Sequence, residues 1–521
     1  MEKMQSTHVD AHDDVSVAPA NTLIDSKHVD QDKETAALGA NQPVEIDEAT
    51  NRKLFWTINK RILMCMLGTY FCQSLDKGTL GFSSIMGIQA DANLEGQDYS
   101  WLGTILYIGV LAGEVPTNML IQKLPVAKYL AGNVFLWGAV IACSASATNF
   151  RGLMVVRFLL GVFESCVQPT FILMTSMWYT RREQAVLTSL WYCMTGVQLM
   201  VGGIIAYGVS NYVGHSIKSW QLLFLVLGVA TCAWAIVLAL VLPDSPTKAK
   251  CYSKEQKRLM VERVRANETG IQNKKYKKYQ ALEAITDPVV WCYVMLQITS
   301  TLIIGGLGVF SNLIIKSFGF TVLQTQLLNI AQGGVTIIVM VGSASLATFT
   351  KQTVWVMHAW TIPPIIGTAI MYSFAPNSSN RVGLLIAFYC TQFYLAEGNL
   401  IYSLIGQNTA GQTKKTVTLA LSFIAWSGGN AAAPQIFQKS DAPRYKKGFT
   451  AHFCLYVLFN LCLVVLRLIL TRRNIIKRRI GGSGVADSSS ERKSSYDEHI
   501  DHSNAFADLT DKENPSFRYD F

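Results

Sequence analysis

Twelve separate stretches of about twenty predominantly apolar residues recur along this chain, each long enough to cross a hydrocarbon core of ~30 Å as a helix. They lie near residues 62–83, 100–121, 127–148, 152–175, 185–210, 219–242, 289–315, 323–348, 353–375, 382–405, 416–438 and 449–470. Such a chain is expected to be an all-α polytopic membrane protein. Composition agrees, because half of the 521 residues are hydrophobic and only 15% are charged, too apolar a balance for a soluble protein of this length.

The first fifty or so residues are polar and acidic, with no short apolar core behind basic residues, so no cleavable signal peptide is expected and the amino terminus should stay in the cytosol. Lys and Arg then gather in alternate loops: Lys123 and Lys128, Arg181 and Arg182, the stretch from Lys248 to Lys278, Lys351, and Lys414 with Lys415. The positive-inside rule makes these loops cytosolic, and the acidic first outer loop, with Asp91, Glu95 and Asp98, fits the same topology. The loop before the last helix is an exception, carrying Lys439, Arg444, Lys446 and Lys447 on the expected outer side. The net charge of +10 is explained by these loops and by Arg472, Arg473, Lys477, Arg478 and Arg479, a juxtamembrane cluster suited to anionic lipid rather than to nucleic acid. Ten of eleven cysteines fall in or beside expected helices and Cys251 lies in a loop; their spacing suggests neither a disulfide framework nor a metal site. No metal or other cofactor is expected.

The charged stretch 243–288 divides the helices into six and six, opening with Pro243-Asp-Ser-Pro246, which ends a helix because Pro cannot continue one. The expected organisation is a disordered cytosolic tail (1–54), a six-helix half (55–242), a cytosolic connector (243–288), a second six-helix half (289–470), and a basic then disordered cytosolic tail (471–521). Within the connector, Ser253 to Ala266 reads as an amphipathic charged helix. Six plus six with a connector is the plan of major facilitator transporters, whose halves are parallel repeats with the substrate site between them at mid-membrane. Internal similarity is faint, as in Leu80-Gly-Phe-Ser against Leu307-Gly-Val-Phe-Ser.

Charges inside the apolar segments point to function. Arg157-Phe-Leu-Leu-Gly161-Val-Phe-Glu164 sets a cation and a carboxylate two helical turns apart on one face. A charge at a bilayer centre costs roughly 2.5–3.5 kcal/mol on insertion scales, so such groups face a partner or a wet cavity. One isolated pair reads equally as a structural ion pair, but Asp76 and Lys77, Glu114 and Glu397 add a constellation. A symporter of anions needs a fixed cation to meet the substrate and a carboxyl whose protonation is linked to occupancy; burial and a nearby cation act on such a carboxyl in opposite directions.

From about Gly68 to Phe449 the chain resembles the fungal allantoate permease family, a branch of the anion:cation symporters within the major facilitator superfamily. The resemblance is carried by Ser74-Leu-Asp76-Lys77, Tyr99-Ser-Trp101-Leu-Gly, Gly113-Glu114-Val-Pro116-Thr-Asn118 and the Arg157 to Glu164 segment. In the second half it is carried by Gly411-Gln-Thr-Lys414-Lys415, Gly429-Asn430, Pro434-Gln435-Ile-Phe437 and Asp441-Ala-Pro-Arg444-Tyr445. The resemblance implies proton-coupled uptake of organic anions such as ureides, carboxylate vitamins or short peptides, at the plasma membrane of a fungal cell, by a monomer. The endoplasmic reticulum and the vacuole are the alternative membranes. It further implies Asp76 and Glu164 as proton carriers, Lys77 as substrate anchor, and Arg157 as coupling partner that also meets substrate. Relatives often place a Pro before the glycine of helix eight, where this chain has Ile330-Ala-Gln332-Gly333-Gly334.

Other polar residues have two readings each. Gln198, Gln332, Asn399 and Asn430 are candidates for hydrogen bonding to substrate, with helix packing as the alternative. Glu114 and Pro116, where a lost backbone hydrogen bond can kink the helix, read as gating or structural. Glu397, with Gln392, Asn399 and Tyr402, reads as a gating or structural residue, a cavity wall, or an acid near a helix end reaching water. His358 reads as an interfacial residue rather than a proton relay. Asn377-Ser-Ser379 is a glycosylation sequon on an outer loop, whereas Asn267-Glu-Thr269 falls in the connector and should be silent. Competing functions are a drug or metabolite efflux antiporter, opposed by the lack of a Gly-Pro pair near Gly196, and a nutrient sensor without transport. A sugar facilitator fits less well, because Pro243-Asp-Ser-Pro246 only half resembles that family's element. No cluster suggests an enzyme.

Overall fold

The computed structural model describes residues 46–212, 217–265, 277–483, 509–514 and 517–521. Its first half contains α1 (Met64–Ser84), α2 (Asp98–Lys123), α3 (Val126–Ser144), α4 (Phe150–Glu164 continued by Val167–Trp178), α5 (Arg181–Ser210) and α6 (Ser219–Val241). The second contains α7 (Pro288–Ser317), α8 (Val322–Thr350), α9 (Thr353–Ser373), α10 (Arg381–Thr391 and Leu395–Asn408 around a short 3₁₀ turn), α11 (Gln412–Ala432) and α12 (Lys446–Ser483). Among the described residues, nine helices are long and apolar enough to cross a membrane. The other three fall short for identifiable reasons. Gln73, Asp76 and Lys77 lower the apolarity of α1, α4 breaks after Glu164, and α11 starts with a pair of lysines.

Local sequence fixes the helix starts. Thr180 and Glu183 form a capping box ahead of α5, as do Thr321 and Gln324 ahead of α8. Asp287 caps α7, where Pro288 takes the first position, one at which its missing N–H costs nothing. The Asp244 carboxylate of Pro243-Asp-Ser-Pro246 accepts from the Ala127 and Lys128 amides, so this motif caps α3 from the far end of the half.

Glycine permits the closest helix approaches. A Cβ on Gly161 of α4 would lie 2.0 Å from the Leu106 carbonyl oxygen of α2. Across the halves, Gly196 of α5 and Gly333 of α8 each face the other's carbonyl, at 2.7 and 2.4 Å from an added Cβ. Without water to drive association, such contacts depend on small residues that bring backbones together.

With an even number of crossings, the ends of α6 and α12 and the start of α7 share one face, here termed the connector side. At the opposite end a belt of hydrogen bonds joins the halves. Tyr99 donates to the Val309 carbonyl (3.0 Å), Ser100 to Phe437 (3.3 Å), Thr104 to Ala431 (2.7 Å) and Gln326 to Phe82 (3.2 Å). Lys439 donates to the Leu94 carbonyl and Arg444 to that of Tyr372, so two basic residues of the loop that broke the charge rule serve as structural donors there. Exposed Asn377 lies on this same far face, while Asn267 lies outside the described residues.

On the connector side, a helix at Lys254–Arg265 takes up the expected amphipathic segment. Its Arg263 pairs with Glu183 at the start of α5 and donates to Asn51 (2.6 Å). A second short helix, Lys278–Thr286, leads into α7. The Asp287 carboxyl is buried, which alone would raise its proton affinity, but hydrogen bonds and charge from Arg473 and Lys414 outweigh burial and hold it below the ordinary carboxylate range. The stability it lends is therefore fully present above the usual carboxylate value and fades only as pH falls below that.

Both expected tails need correction where they are described; residues 1–45, 484–508 and 515–516 lie outside the described residues. Residues 48–58 form a helix, Glu48–Ile58, capped by Asp47 and packed through Leu54 and Ile58. At the other end α12 runs past residue 470 to Ser483, and residues 509–514 and 517–521 lie against the connector side, with Thr510, Asp511 and Tyr519 buried. Both segments make buried contacts that local composition does not announce.

Candidate functional site

A cavity of about 330 Å³ lies between the halves, walled by residues from both. The far-side belt closes the end of it opposite the connector side. Of the sequence-derived candidates, Lys77, Arg157, Glu164, Gln198, Gln332, Asn399 and Asn430 line this cavity.

Lys77 and Glu164 form its charged centre. Lys77 Nζ lies 3.0 Å from Glu164 Oε1; the Glu164 side chain is 2% exposed, whereas that of Lys77 is 26% exposed. Glu164 ends the first segment of α4, where the chain kinks before Val167, and α1 presents Lys77 opposite it. The ammonium also stands 5.8 Å from the Trp426 ring centroid on α11, a cation–π distance. One cation thus touches both halves. Arg157, two turns before Glu164, is 4% exposed; its guanidinium donates to Thr79 (3.3 Å) and stacks over Phe224 at 5.6 Å.

Asp76 points elsewhere. Its carboxylate accepts from Trp137 Nε1 (2.9 Å) and Thr231 Oγ1 (3.1 Å), inside the first half and away from the cavity lining. Adjacent helical residues diverge by about 100°, so Lys77 can face the cavity only if Asp76 faces α3 and α6. Its neighbours cross-brace three helices of that half.

Glu114 and Glu397 also stand off the cavity lining. Glu114 accepts from the Asn118 amide one turn on (3.1 Å), across Pro116 inside α2. Glu397 is 0% exposed and no hydrogen-bond partner is described for either carboxyl oxygen. Two readings of it, cavity wall and water-reaching acid, are corrected, because the side chain is fully buried off the cavity lining, in the first turn of the second segment of α10. His358 Nδ1 lies 2.7 Å from Asn460 Oδ1 of α12, an interhelical contact.

The amide candidates of the second half have partners within that half. Gln332 donates to Gln392 (3.2 Å) and Asn430 to the Trp426 carbonyl (2.8 Å), while Asn399 lies 3.2 Å from the Met340 sulfur. Sequence reasoning passed over several lining residues: Gln73 and Gln168 in the first half, Asn312 and Asn329 in the second, and the aromatic wall of Tyr107, Phe423 and Trp426. Gln73 was within reach, since it precedes Lys77 by four residues on one helical face. The aromatic wall carried no signal, because Trp and Tyr in a membrane helix read equally as packing. Among the described residues, no His, Cys, Asp and Glu group is arranged to hold a metal ion.

The Major Facilitator Superfamily profile matches residues 66–434. An allantoate permease of Saccharomyces cerevisiae is 30% identical, covering 91% of this chain and 88% of its own. A thiamine pathway transporter of the same yeast is 33% identical, with coverages of 90% and 86%. An uncharacterised transporter of Schizosaccharomyces pombe is 34% identical, with coverages of 90% and 87%. Among solved structures, a bacterial homolog of the human lysosomal transporter Spinster superposes with a TM-score of 0.61 at 12% identity, covering 78% of this chain and 96% of its own. A D-xylose–proton symporter gives 0.58 at 13% identity with the same coverages. Both confirm the fold. The chain is a multi-pass membrane transporter of small molecules, not an enzyme, and it belongs to the fungal allantoate permease family of the major facilitator superfamily.

Proposed function

We propose that this transporter imports a small organic anion together with protons by alternating access, at the plasma membrane, with its connector side facing the cytosol. The Lys77–Glu164 pair in the cavity wall carries this reading. An arriving carboxylate competes with Glu164 for the one cation that is partly open to the cavity. Once Lys77 turns to the substrate, Glu164 is a buried carboxylate that has lost its contacting cation, a state that costs several kcal/mol unless the group takes a proton. Anion binding and proton binding then favour each other, which is the linkage a symporter needs. Arg157 stands on the same face as a fixed positive charge that keeps the neighbourhood hospitable to anions. Trp426, beside Lys77 and on the opposite half, lets occupancy of the cation be felt across the interface. The volume of about 330 Å³ suits a small ligand, and the yeast relative named an allantoate permease favours an anionic cargo.

The substrate is identified by uptake of labelled allantoate, nicotinate, pantothenate, biotin and a dipeptide into cells expressing the chain, at external pH 5 and 7.5. The expected result is accumulation of one anion, stronger at pH 5 and abolished by an uncoupler. Uptake that is stronger at pH 7.5, or net expulsion of a preloaded anion, would turn the reading toward efflux.

A further inference from the structure

Two sequence motifs have no part in the transport chemistry above, Tyr99-Ser-Trp101-Leu-Gly103 of the first half and Pro434-Gln435-Ile-Phe437 of the second, yet they interlock with each other at the far side. Gly103 of α2 lies against Pro434, which stands in the 3₁₀ turn Ala433–Ile436 after α11. A Cβ on Gly103 would sit 2.9 Å from Pro434 Cγ and 3.2 Å from Val309 Cγ2 of α7. One residue on, the Thr104 hydroxyl donates to the Ala431 carbonyl (2.7 Å) and accepts from the Gln435 amide (3.0 Å), so two hydrogen bonds of this one side chain cross between the halves. Ser100 adds a third, to the Phe437 carbonyl (3.3 Å). Phe437 is anchored in its own half. Its ring is fully buried, stacks on Phe310 at 5.2 Å, and fits between Gly306 of α7 and Gly448 of α12, where an added Cβ would lie 2.8 and 3.0 Å from it. Phe310 in turn meets the Tyr99 ring edge-on at 5.4 Å. Gly103 and Val309 also belong to the cavity lining, so the interlock forms the far end wall of the cavity.

We propose that these two motifs are the far-side gate of the transport path, with Gly103 against Pro434 as its closing contact. Alternating access rocks one half against the other, so every contact that joins the halves at the far side has to part for that side to open. The Gly103 contact discriminates most sharply between the two states. With no side chain at 103, the rigid Pro434 ring approaches the α2 backbone. A methyl there overpacks the sealed state, whereas the parted state meets no clash from it, because Pro434 and Val309 move away with the second half. A group tolerated by one state and opposed by the other shifts the population toward the first. Ser100 and Thr104 align the closing faces, and the Phe437 ring, seated between two glycines, keeps its carbonyl where Ser100 meets it. The proposal rests on alternating access in this superfamily and on neither the cargo nor the coupling ion, and its test uses neither.

The test is thiol labelling of the full-length protein in liposomes, without cargo, with the far side facing outward. Ser311→Cys is the reporter, because Ser311 lines the cavity on α7 and is 6% exposed. A membrane-impermeant maleimide is added outside, and mass spectrometry of the peptide holding residue 311 separates it from the eleven native cysteines. Gly103→Ala in the reporter chain should speed this labelling about tenfold, within the range for an overpacked contact. Thr104→Val removes the paired hydrogen bonds at nearly constant volume, so it keeps the test open if Gly103→Ala fails to fold; it should act in the same direction by a smaller factor. Gly428→Ala on α11, where a Cβ meets nothing within 4 Å, should leave the rate as it is. In liposomes with the connector side outward, Gly103→Ala should not raise labelling. Unchanged far-side labelling in the folded gate variants, a rise from both faces, or an equal rise in Gly428→Ala would overturn the gate.

Discussion

Replacing Glu164 by Gln is expected to abolish uphill accumulation of the anion while exchange of labelled for unlabelled anion continues. The substitution keeps the size and hydrogen-bonding capacity of the side chain but removes both its charge and its ability to carry a proton. In the proposed cycle the carboxyl must give up its proton on the connector side so that Lys77 can be recaptured and the anion displaced. A permanently neutral side chain leaves Lys77 free for substrate throughout, so anions still bind and cross in exchange, but the proton gradient has no purchase. Measured as the ratio of internal to external anion at pH 5, accumulation should fall to the level seen with an uncoupler. Retention of full uphill uptake would remove Glu164 from coupling. Asp76→Asn, by contrast, should act through packing, because Trp137 and Thr231 occupy its carboxylate within the first half.

The second large effect is expected at Lys77. Lys77→Gln removes the cation that meets the substrate and leaves Glu164, 2% exposed, without its contacting cation. Loss of one partner from a desolvated charge pair typically costs ~2–5 kcal/mol, so the concentration giving half-maximal uptake should rise at least about thirtyfold. Lys77→Arg should recover much of the affinity, since charge is kept although the point charge becomes a planar fork. The double variant Lys77→Gln/Glu164→Gln should exchange anions better than Lys77→Gln alone, because it leaves no unpaired carboxylate. A double variant whose loss equals the sum of the single losses would mean that the two side chains act independently.

The fold was legible because the bilayer imposes a length. Each of the twelve apolar stretches became a helix, including α1, α4 and α11, whose polar residues make them poor spans when taken singly. The connector was legible from Pro243-Asp-Ser-Pro246 and the charges after it, although the capping of α3 by Asp244 depends on a contact between distant parts of the chain. At the site, charge in apolar surroundings was the usable signal, and it located Lys77, Arg157 and Glu164 at the cavity. The same signal grouped Glu397 with the cavity residues, since a buried acid and a cavity acid look alike in sequence, whereas its side chain is fully buried off the lining. It could not separate Asp76 from Lys77 either. Which of two neighbours faces the cavity depends on the partners that α3 and α6 offer. The docked carboxyl-terminal segment was illegible because its binding depends on Asn408 and Asn474, two amides with no local pattern around them.

The most direct test of proton-coupled anion import is proton movement itself, recorded by a pH-sensitive dye trapped in liposomes that contain the purified chain in one orientation. Adding the anion identified by uptake to the face opposite the connector should acidify the lumen saturably in the unmodified protein and not in Glu164→Gln. Anion entry without acidification, or acidification that persists in Glu164→Gln, would contradict the account.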